Sequence, residues 1–163
     1  MGPQNEADSI PAIHAALDHG IHWIDTAALY GLGHSEQVVA RAIRDRKAAS
    51  LCVHQVRAGL DERSNHRCTP ERKSIQRKCE DSLRRLRTDV IDLYQVHCPE
   101  ADDDIEEGWR ELARLKREGK VGYIGVFNFS VSKMERAQAI APITALQPVA
   151  PWSSRLDLFG ESG

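Results

Sequence analysis

The sequence predicts an α/β fold: a partial (β/α)8 TIM barrel in which parallel strands alternate with helices, with roughly strands two to six present. Strand and helix patterns alternate strictly along the chain, which is typical of parallel crossover connections. Four of the five predicted strands end in a polar residue, Asp25, His97, Asn128 or Gln147, as expected where a barrel active site lies at the carboxyl ends of its strands. No G-x-G-x-x-G turn follows a strand, which argues against an open nucleotide-binding sheet.

Apolar spacing and stop signals define each element in turn. The first helix is ended by Gly20, the fourth by Gly119, and Thr69 followed by Pro70 begins the third. The weakest strand is the second, because His54 and Gln55 interrupt its apolar pattern. In chain order the predicted elements are a helix over 5–19, a strand over 21–24, a helix over 34–45, a strand over 51–56, a helix from 69 to about 86, a strand over 90–96, a helix over 105–116, a strand over 121–127, a helix over 131–140 and a strand over 143–146.

Length and composition predict one globular domain over residues 1–163. With 41% hydrophobic residues, 28% charged residues and a net charge of −2, no nucleic-acid or membrane partner is expected, and a cytoplasmic location follows. The four cysteines lack zinc-like spacing, so we expect free thiols and no metal site. Four basic side chains flank the apolar stripe of the third helix, and a solvated face is favoured over a phosphate site for Lys78, Arg84, Arg85 and Arg87.

Residues 20–36, GIHWIDTAALYGLGHSE, hold the strongest functional pattern. A buried strand runs into Asp25, a phenol follows at Tyr30, and Gly31 and Gly33 would let a ligand approach the backbone. The residues alone leave a second interpretation open, in which Asp25 caps a turn and Tyr30 packs in a loop.

This stretch resembles the first signature of the aldo/keto reductase family. SLRRLRTDVIDLYQVHCPE resembles the second signature, and LKREGKVGYIGVFNFS resembles the segment carrying the cofactor-amide contacts. The likeness extends from about residue 3 to 148. It implies an NADPH-dependent reductase of aldehydes or ketones on a (β/α)8 barrel, with a catalytic tetrad of Tyr, Lys, His and Asp.

Carried over by motif, five roles in the family fall on single residues of this chain. Tyr30 matches the general acid and Asp25 the aspartate of the tetrad. His97 matches the histidine that orients the substrate carbonyl. Asn128 and Gln147 match the residues that hold the nicotinamide carboxamide. A phenol with an ordinary pKa near 10 is a poor acid at neutral pH, so a neighbouring cation is needed to lower that pKa.

The expected lysine is missing, and Arg57 lies nearest its position in QVRAGL. Arginine keeps the charge but is a poor proton relay. An alternative is that residues 50–59 are translated out of frame between two compensating indels. Read one base later, the codons of SLCVHQVRAG permit PYVFTKCGL, with a lysine where the codons of Gln55 and Val56 meet.

Other departures concern the cofactor and the ends of the barrel. Phe127 replaces a serine that the family uses to bind the nicotinamide amide. Residues 149–163 leave the family pattern, and the first and last strands are expected to be missing. Unpaired sheet edges then predict self-association.

Three functions therefore remain open. The first is an NADPH-dependent reductase of a small-molecule carbonyl substrate, inactive in this truncated form if the lysine is truly lost. The second is a non-catalytic nucleotide-binding or regulatory subunit on a reductase scaffold. The third is a poorly folded product of a truncated gene.

Overall fold

Five strands and five helices alternate along the chain in the computed structural model, which describes residues 6–44, 51–57, 72–97 and 105–148. The side chains of 51–57, 72–74 and 97 lie outside that description. In chain order the elements are α1 Glu6–Asp18, β1 Trp23–Ala27, α2 His34–Ile43, β2 Leu51–Arg57, α3 Arg72–Leu86, β3 Ile91–His97, α4 Ile105–Arg117, β4 Val121–Phe127, α5 Val131–Gln138 and β5 Ala145–Gln147.

All five strands are parallel, and they pair in the order β1-β2-β3-β4-β5. Sequential pairing of parallel strands through helices is the arrangement of a (β/α)8 barrel, and five strands form part of one. The predicted fold class is therefore confirmed. The predicted loop and cap between β2 and α3, at residues 58–71, lie outside the described residues, as does the tail from 149 onward.

The core lies between the sheet and the helices. The side chains of Trp109, Leu112 and Leu115 on α4 are at most 1% exposed, and the i, i+3 spacing places them on one face. They pack in one cluster with Ile91, Ile124 and other strand residues. The indole of Trp109 donates a 2.9 Å hydrogen bond to the carbonyl of Ala141, which fixes the segment that follows α5.

The first strand begins later than the sequence predicted. Gly20 has φ +84°, and the amide of Ile21 donates to the carbonyl of Ala16 in α1. This left-handed cap holds Ile21 against the helix, so strand pairing starts with Trp23 opposite Leu51. The prediction that the strand ends at Asp25 is wrong, because Asp25 is the third of the five residues of β1.

Ion pairs link α4 to α5, and α3 to the turn that precedes β4. Arg136 of α5 holds the Glu106 carboxylate of α4 through Nε at 2.6 Å and Nη2 at 2.7 Å. Lys120 bonds Glu80 of α3 at 2.8 Å. Cys79, a buried free thiol in α3, has its pKa raised to about 11, chiefly by burial. In the described part of the chain, no helix is both long and apolar enough to span a bilayer.

Candidate active site

Four of the predicted site residues form one row across the sheet. The strand register pairs Arg57 with His97, His97 with Phe127, and Phe127 with Gln147. Neighbouring strands lie about 4.8 Å apart, so the row crosses four strands in about 15 Å. Each member is the last residue of its strand. The row therefore marks the carboxyl edge of β2 to β5, where barrel active sites lie.

Asn128 joins this row through its backbone. Its amide donates a 3.0 Å hydrogen bond to the carbonyl of Gln147. Its φ of +54° lies in the left-handed region, which asparagine tolerates better than most residues. The chain thus turns away from β4 at the point where Asn128 and Gln147 meet. The side chain of Asn128 is exposed and that of Gln147 half-buried.

The chemistry of these two residues fits a carboxamide. An amide side chain offers both a carbonyl acceptor and two N–H donors, and a carboxamide ligand needs both. Phe127, half-buried between the two strand ends, brings a ring where a hydroxyl was expected. Asn128 and Gln147 therefore offer amide donors and acceptors at strand ends that also carry the hydrophobic ring of Phe127.

Tyr30 follows the carboxyl end of β1, whereas Asp25 lies in the middle of that strand, level with Val53. Burial raises the pKa of the Tyr30 phenol, and the negative charge of Asp25 raises it further. The two side chains are thus electrostatically coupled. The direction of the shift is opposite to what a proton donor at neutral pH needs, so a cation is required before this phenol becomes a useful acid.

The register separates Asp25 from the residue predicted in the lysine position. Asp25 is level with Val53 on β2, whereas Arg57 is four residues farther along that strand. At about 3.3 Å per residue the offset is about 13 Å. Gln55, level with Ala27, is only two residues beyond Val53.

The turn that carries Tyr30 is strained and tightly bonded. Three consecutive residues, Gly31, Leu32 and Gly33, have φ of +61°, +54° and +89°. Leucine in this region costs on the order of 1–3 kcal/mol. The Tyr30 amide donates to Ala27 at 3.0 Å, and the Tyr30 carbonyl accepts from the Ser35 amide at 3.2 Å. Tyr30 is thus bonded on both sides, to β1 and to the start of α2.

A buried ion pair beneath this turn was missed by sequence reasoning. Glu36 in the first turn of α2 is fully buried, and its carboxylate accepts a hydrogen bond from Nε of Arg85 on α3. The side chain of Arg85 is only 26% exposed. The prediction of a solvated face is therefore wrong for Arg85, although it holds for Arg84, which is 75% exposed. The basic run alone could not distinguish these two neighbours.

A second polar residue missed from the sequence is Gln95, two residues before His97. It is 2% exposed and level with Gly125 on β4, and a hydrogen-bond partner for its Oε1 is absent from the described structure. The alternation of LYQVH was the available signal, since it places Gln95 on the same sheet face as His97. No cluster of three or more potential metal ligands occurs among the described residues.

Comparison with known proteins identifies the sequence family. The profile of the Aldo/keto reductase family matches residues 1–154. A curated relative, "Aldo-keto reductase YhdN" of Bacillus subtilis (strain 168), is 41% identical over 148 residues, which is 90% of this chain and 45% of the relative. The chain thus spans less than half the length of that protein.

Solved structures show the same partial coverage. The glycerol dehydrogenase AKR11B4 from Gluconobacter oxydans matches with a TM-score of 0.79 and 38% identity, over 90% of this chain and 46% of that one. An aldo-keto reductase from Klebsiella pneumoniae in complex with NADPH matches with a TM-score of 0.69 and 32% identity, over 83% of this chain and 44% of that one.

Proposed function

This chain belongs to the aldo/keto reductase family, and from that premise we propose that it provides part of an NADPH-dependent reductase site for aldehydes or ketones. The observation that carries the proposal is the row at the carboxyl edge of the sheet, in which Arg57, His97, Phe127 and Gln147 follow one another in register. Its support from relatives is the Klebsiella pneumoniae structure that contains NADPH.

In this proposal the two amide residues hold the cofactor. The Gln147 and Asn128 side chains orient the nicotinamide carboxamide, because together they match its donors and its acceptor. NADPH supplies a hydride to the carbonyl carbon when it is bound. His97 orients the carbonyl oxygen, and the Tyr30 phenol donates its proton to that oxygen as negative charge develops there.

The proton donor sets the condition for activity. Burial and Asp25 both raise the pKa of Tyr30, so the phenol is a weak proton donor to the carbonyl oxygen, and the phenolate that would accept a proton from an alcohol is scarce at neutral pH. A cation at the edge of β2 would oppose both effects. Arg57 ends β2 about 13 Å along that strand from the level of Asp25, and its guanidinium is a fixed charge rather than a proton relay. We therefore propose that Arg57 supports reduction weakly and alcohol oxidation hardly at all.

The experiment measures NADPH consumption with 4-nitrobenzaldehyde, an activated aldehyde. Turnover is expected for the chain and is expected to disappear in Tyr30→Phe. Tyr123→Phe is the matched control, because Tyr123 is the exposed tyrosine of β4 and belongs to no part of the proposed site. Equal turnover in both variants would refute the role of Tyr30.

The four-residue offset of Arg57 from the level of Asp25, together with the raised pKa of Tyr30, also favours a second function, in which we propose that the scaffold binds the nucleotide without turning it over. Quenching of tryptophan fluorescence by NADPH, without consumption of NADPH, would support this function. Asn128→Ala and Gln147→Ala should each weaken the quenching under both functions. Absence of quenching in the parent chain would contradict both.

We also propose that the chain associates with itself through the edges of its sheet. Within the described sheet, β1 and β5 are the edge strands, and such edges are templates for pairing with another chain. Trp23 of β1 is 59% exposed. Sedimentation velocity over a range of concentrations should show a dimer or larger species, which Trp23→Lys weakens. A monomer at every concentration would refute this proposal.

A further inference from the structure

We propose that Arg85 is a positioning residue for Tyr30: by pairing with the buried Glu36 and packing beneath Gly33, it holds the strained turn that presents the phenol. The inference rests on the proposed function, because it is the role of Tyr30 as proton donor that gives its placement a purpose. Arg85 lies on α3 and contacts neither the row of strand ends nor Tyr30 itself among the described contacts.

The first step is the contact beneath the turn. A Cβ added to Gly33 would lie 2.6 Å from Cδ and 2.7 Å from Nε of Arg85. These distances are far below van der Waals contact, so the arginine stem fills the space that a side chain at Gly33 would occupy. The turn therefore lies directly on the Arg85 side chain.

The second step is the anchoring of that side chain. Nε of Arg85 donates to Oε2 of Glu36, and Nη2 is 3.3 Å from the hydroxyl of Ser82. Glu36 and Ser82 are both fully buried. A buried carboxylate needs a partner, so the guanidinium is held in one orientation rather than sampling several.

The third step is the strain in the turn. Gly31 and Gly33 adopt left-handed φ values without strain, but that of Leu32, +54°, persists only where the surrounding structure over-determines it. A 2.9 Å hydrogen bond between the hydroxyls of Thr26 in β1 and Ser35 in α2 links the two elements that flank the turn. Arg85 provides the support from below. Releasing it frees the chain three residues from Tyr30.

The test uses 3-fluorotyrosine and fluorine NMR, because the chain has only three tyrosines. Tyr30 reports on the turn, and Tyr123 on the exposed face of β4 serves as the reference. In Arg85→Met the Tyr30 resonance should move toward the position of free 3-fluorotyrosine, while the Tyr123 resonance stays in place. Arg84→Met is the matched control, since it removes the adjacent, 75% exposed arginine. It should leave both resonances unchanged.

A second control distinguishes the positioning of Tyr30 by Arg85 from a general loss of stability. Arg136→Met breaks the bidentate pair with Glu106 between α4 and α5, far along the chain from the turn. It should lower the melting temperature without moving the Tyr30 resonance. If Arg136→Met moves that resonance as much as Arg85→Met does, or if Arg85→Met leaves it in place, the inference is overturned.

Two milder variants keep the test decisive if Arg85→Met does not fold. Arg85→Lys keeps the charge and part of the stem, so it should restore most of the Tyr30 resonance. Glu36→Gln keeps hydrogen bonding but removes the charge, and an intermediate displacement is expected. A parental spectrum for Glu36→Gln would also overturn the inference.

The NMR experiment needs neither cofactor nor turnover, so its outcome is independent of the proposed function. Where turnover is measurable, Arg85→Met should lower kcat by about tenfold to a hundredfold with little change in KM for NADPH, because misplacing a reacting group by about 1 Å has an effect of that size. A displaced Tyr30 resonance in a chain without turnover would support the positioning role and contradict the reductase proposal.

Discussion

Replacing Gly33 with alanine should destabilise the fold far more than the same change at Gly20. Both glycines have left-handed φ, +89° and +84°, so each substitution carries a backbone cost of about 1–2 kcal/mol. The surroundings differ, because a Cβ at Gly20 meets nothing within 4 Å, whereas one at Gly33 meets Arg85 at 2.6 Å. The comparison therefore isolates the contact with Arg85.

The extra cost at Gly33 follows from what Arg85 holds. To admit a methyl group the arginine stem has to move, and moving it disrupts the pair with Glu36, which is fully buried. Removing one partner of a buried ion pair costs about 3–5 kcal/mol, and displacing the partner costs at most that much. Gly33→Ala should therefore lower the free energy of unfolding by up to about 4–6 kcal/mol, and Gly20→Ala by about 1 kcal/mol once the lower entropy of the unfolded chain is included.

Urea unfolding followed by circular dichroism and tryptophan fluorescence gives both values from the midpoint and slope. A double-mutant cycle sharpens the test, because in an Arg85→Met background Gly33→Ala should cost no more than Gly20→Ala. Gly33→Ala and Gly20→Ala within about 0.5 kcal/mol of each other would refute the reasoning.

Three further predictions concern packing, acid stability and a buried amide. Trp109→Phe removes a buried indole hydrogen bond and should lower the free energy of unfolding by about 1–3 kcal/mol. Trp23→Phe, at a 59% exposed position, should change it by less than about 0.5 kcal/mol. Urea unfolding measures both values. The pKa of Glu106 is lowered to about 2, chiefly by its hydrogen bond from Arg136. The pair therefore stabilises the folded state above the ordinary glutamate pKa, and this stabilisation is lost as pH falls toward 2. The difference in free energy of unfolding between the parent and Glu106→Gln should shrink over that pH interval and stay constant above it. Gln95→Leu removes a buried carbonyl oxygen without a partner in the described structure, so it should raise the free energy of unfolding by about 1 kcal/mol, and a loss of that size would show that the amide is satisfied in solution.

The helices were the most predictable part of this fold. In α4 the buried positions Trp109, Leu112 and Leu115 repeat at helical spacing, and Gly119 with φ +75° ends the helix as its sequence position predicted. Periodicity and caps are local, so the sequence reports them directly. The start of β1 was less predictable, because it depends on a bond from Ile21 back to α1 rather than on hydrophobicity.

The candidate site was also predictable only in part. Motif spacing was sufficient to nominate His97, Phe127 and Gln147, but their alignment in one row depends on the stagger between strands, which no single strand encodes. The pair between Glu36 and Arg85 depends on contact between α2 and α3. Among basic residues on one helix, only tertiary packing decides which one becomes buried.

The strand register also bears on where the missing lysine of the tetrad would lie. The register makes Val53 level with Asp25 and places Arg57 four residues beyond Val53. Arg57 therefore belongs with the row of strand ends and is not beside Asp25, where the lysine of the tetrad is expected. The frame-shifted alternative puts a lysine where the codons of Gln55 and Val56 meet, one or two residues closer to Asp25. A cation there would approach the aspartate and Tyr30 together, which is the placement needed to reverse the raised pKa of the phenol. The register therefore favours the out-of-frame explanation over a simple exchange of lysine for arginine, and the nucleotide sequence across residues 50–59 decides between them.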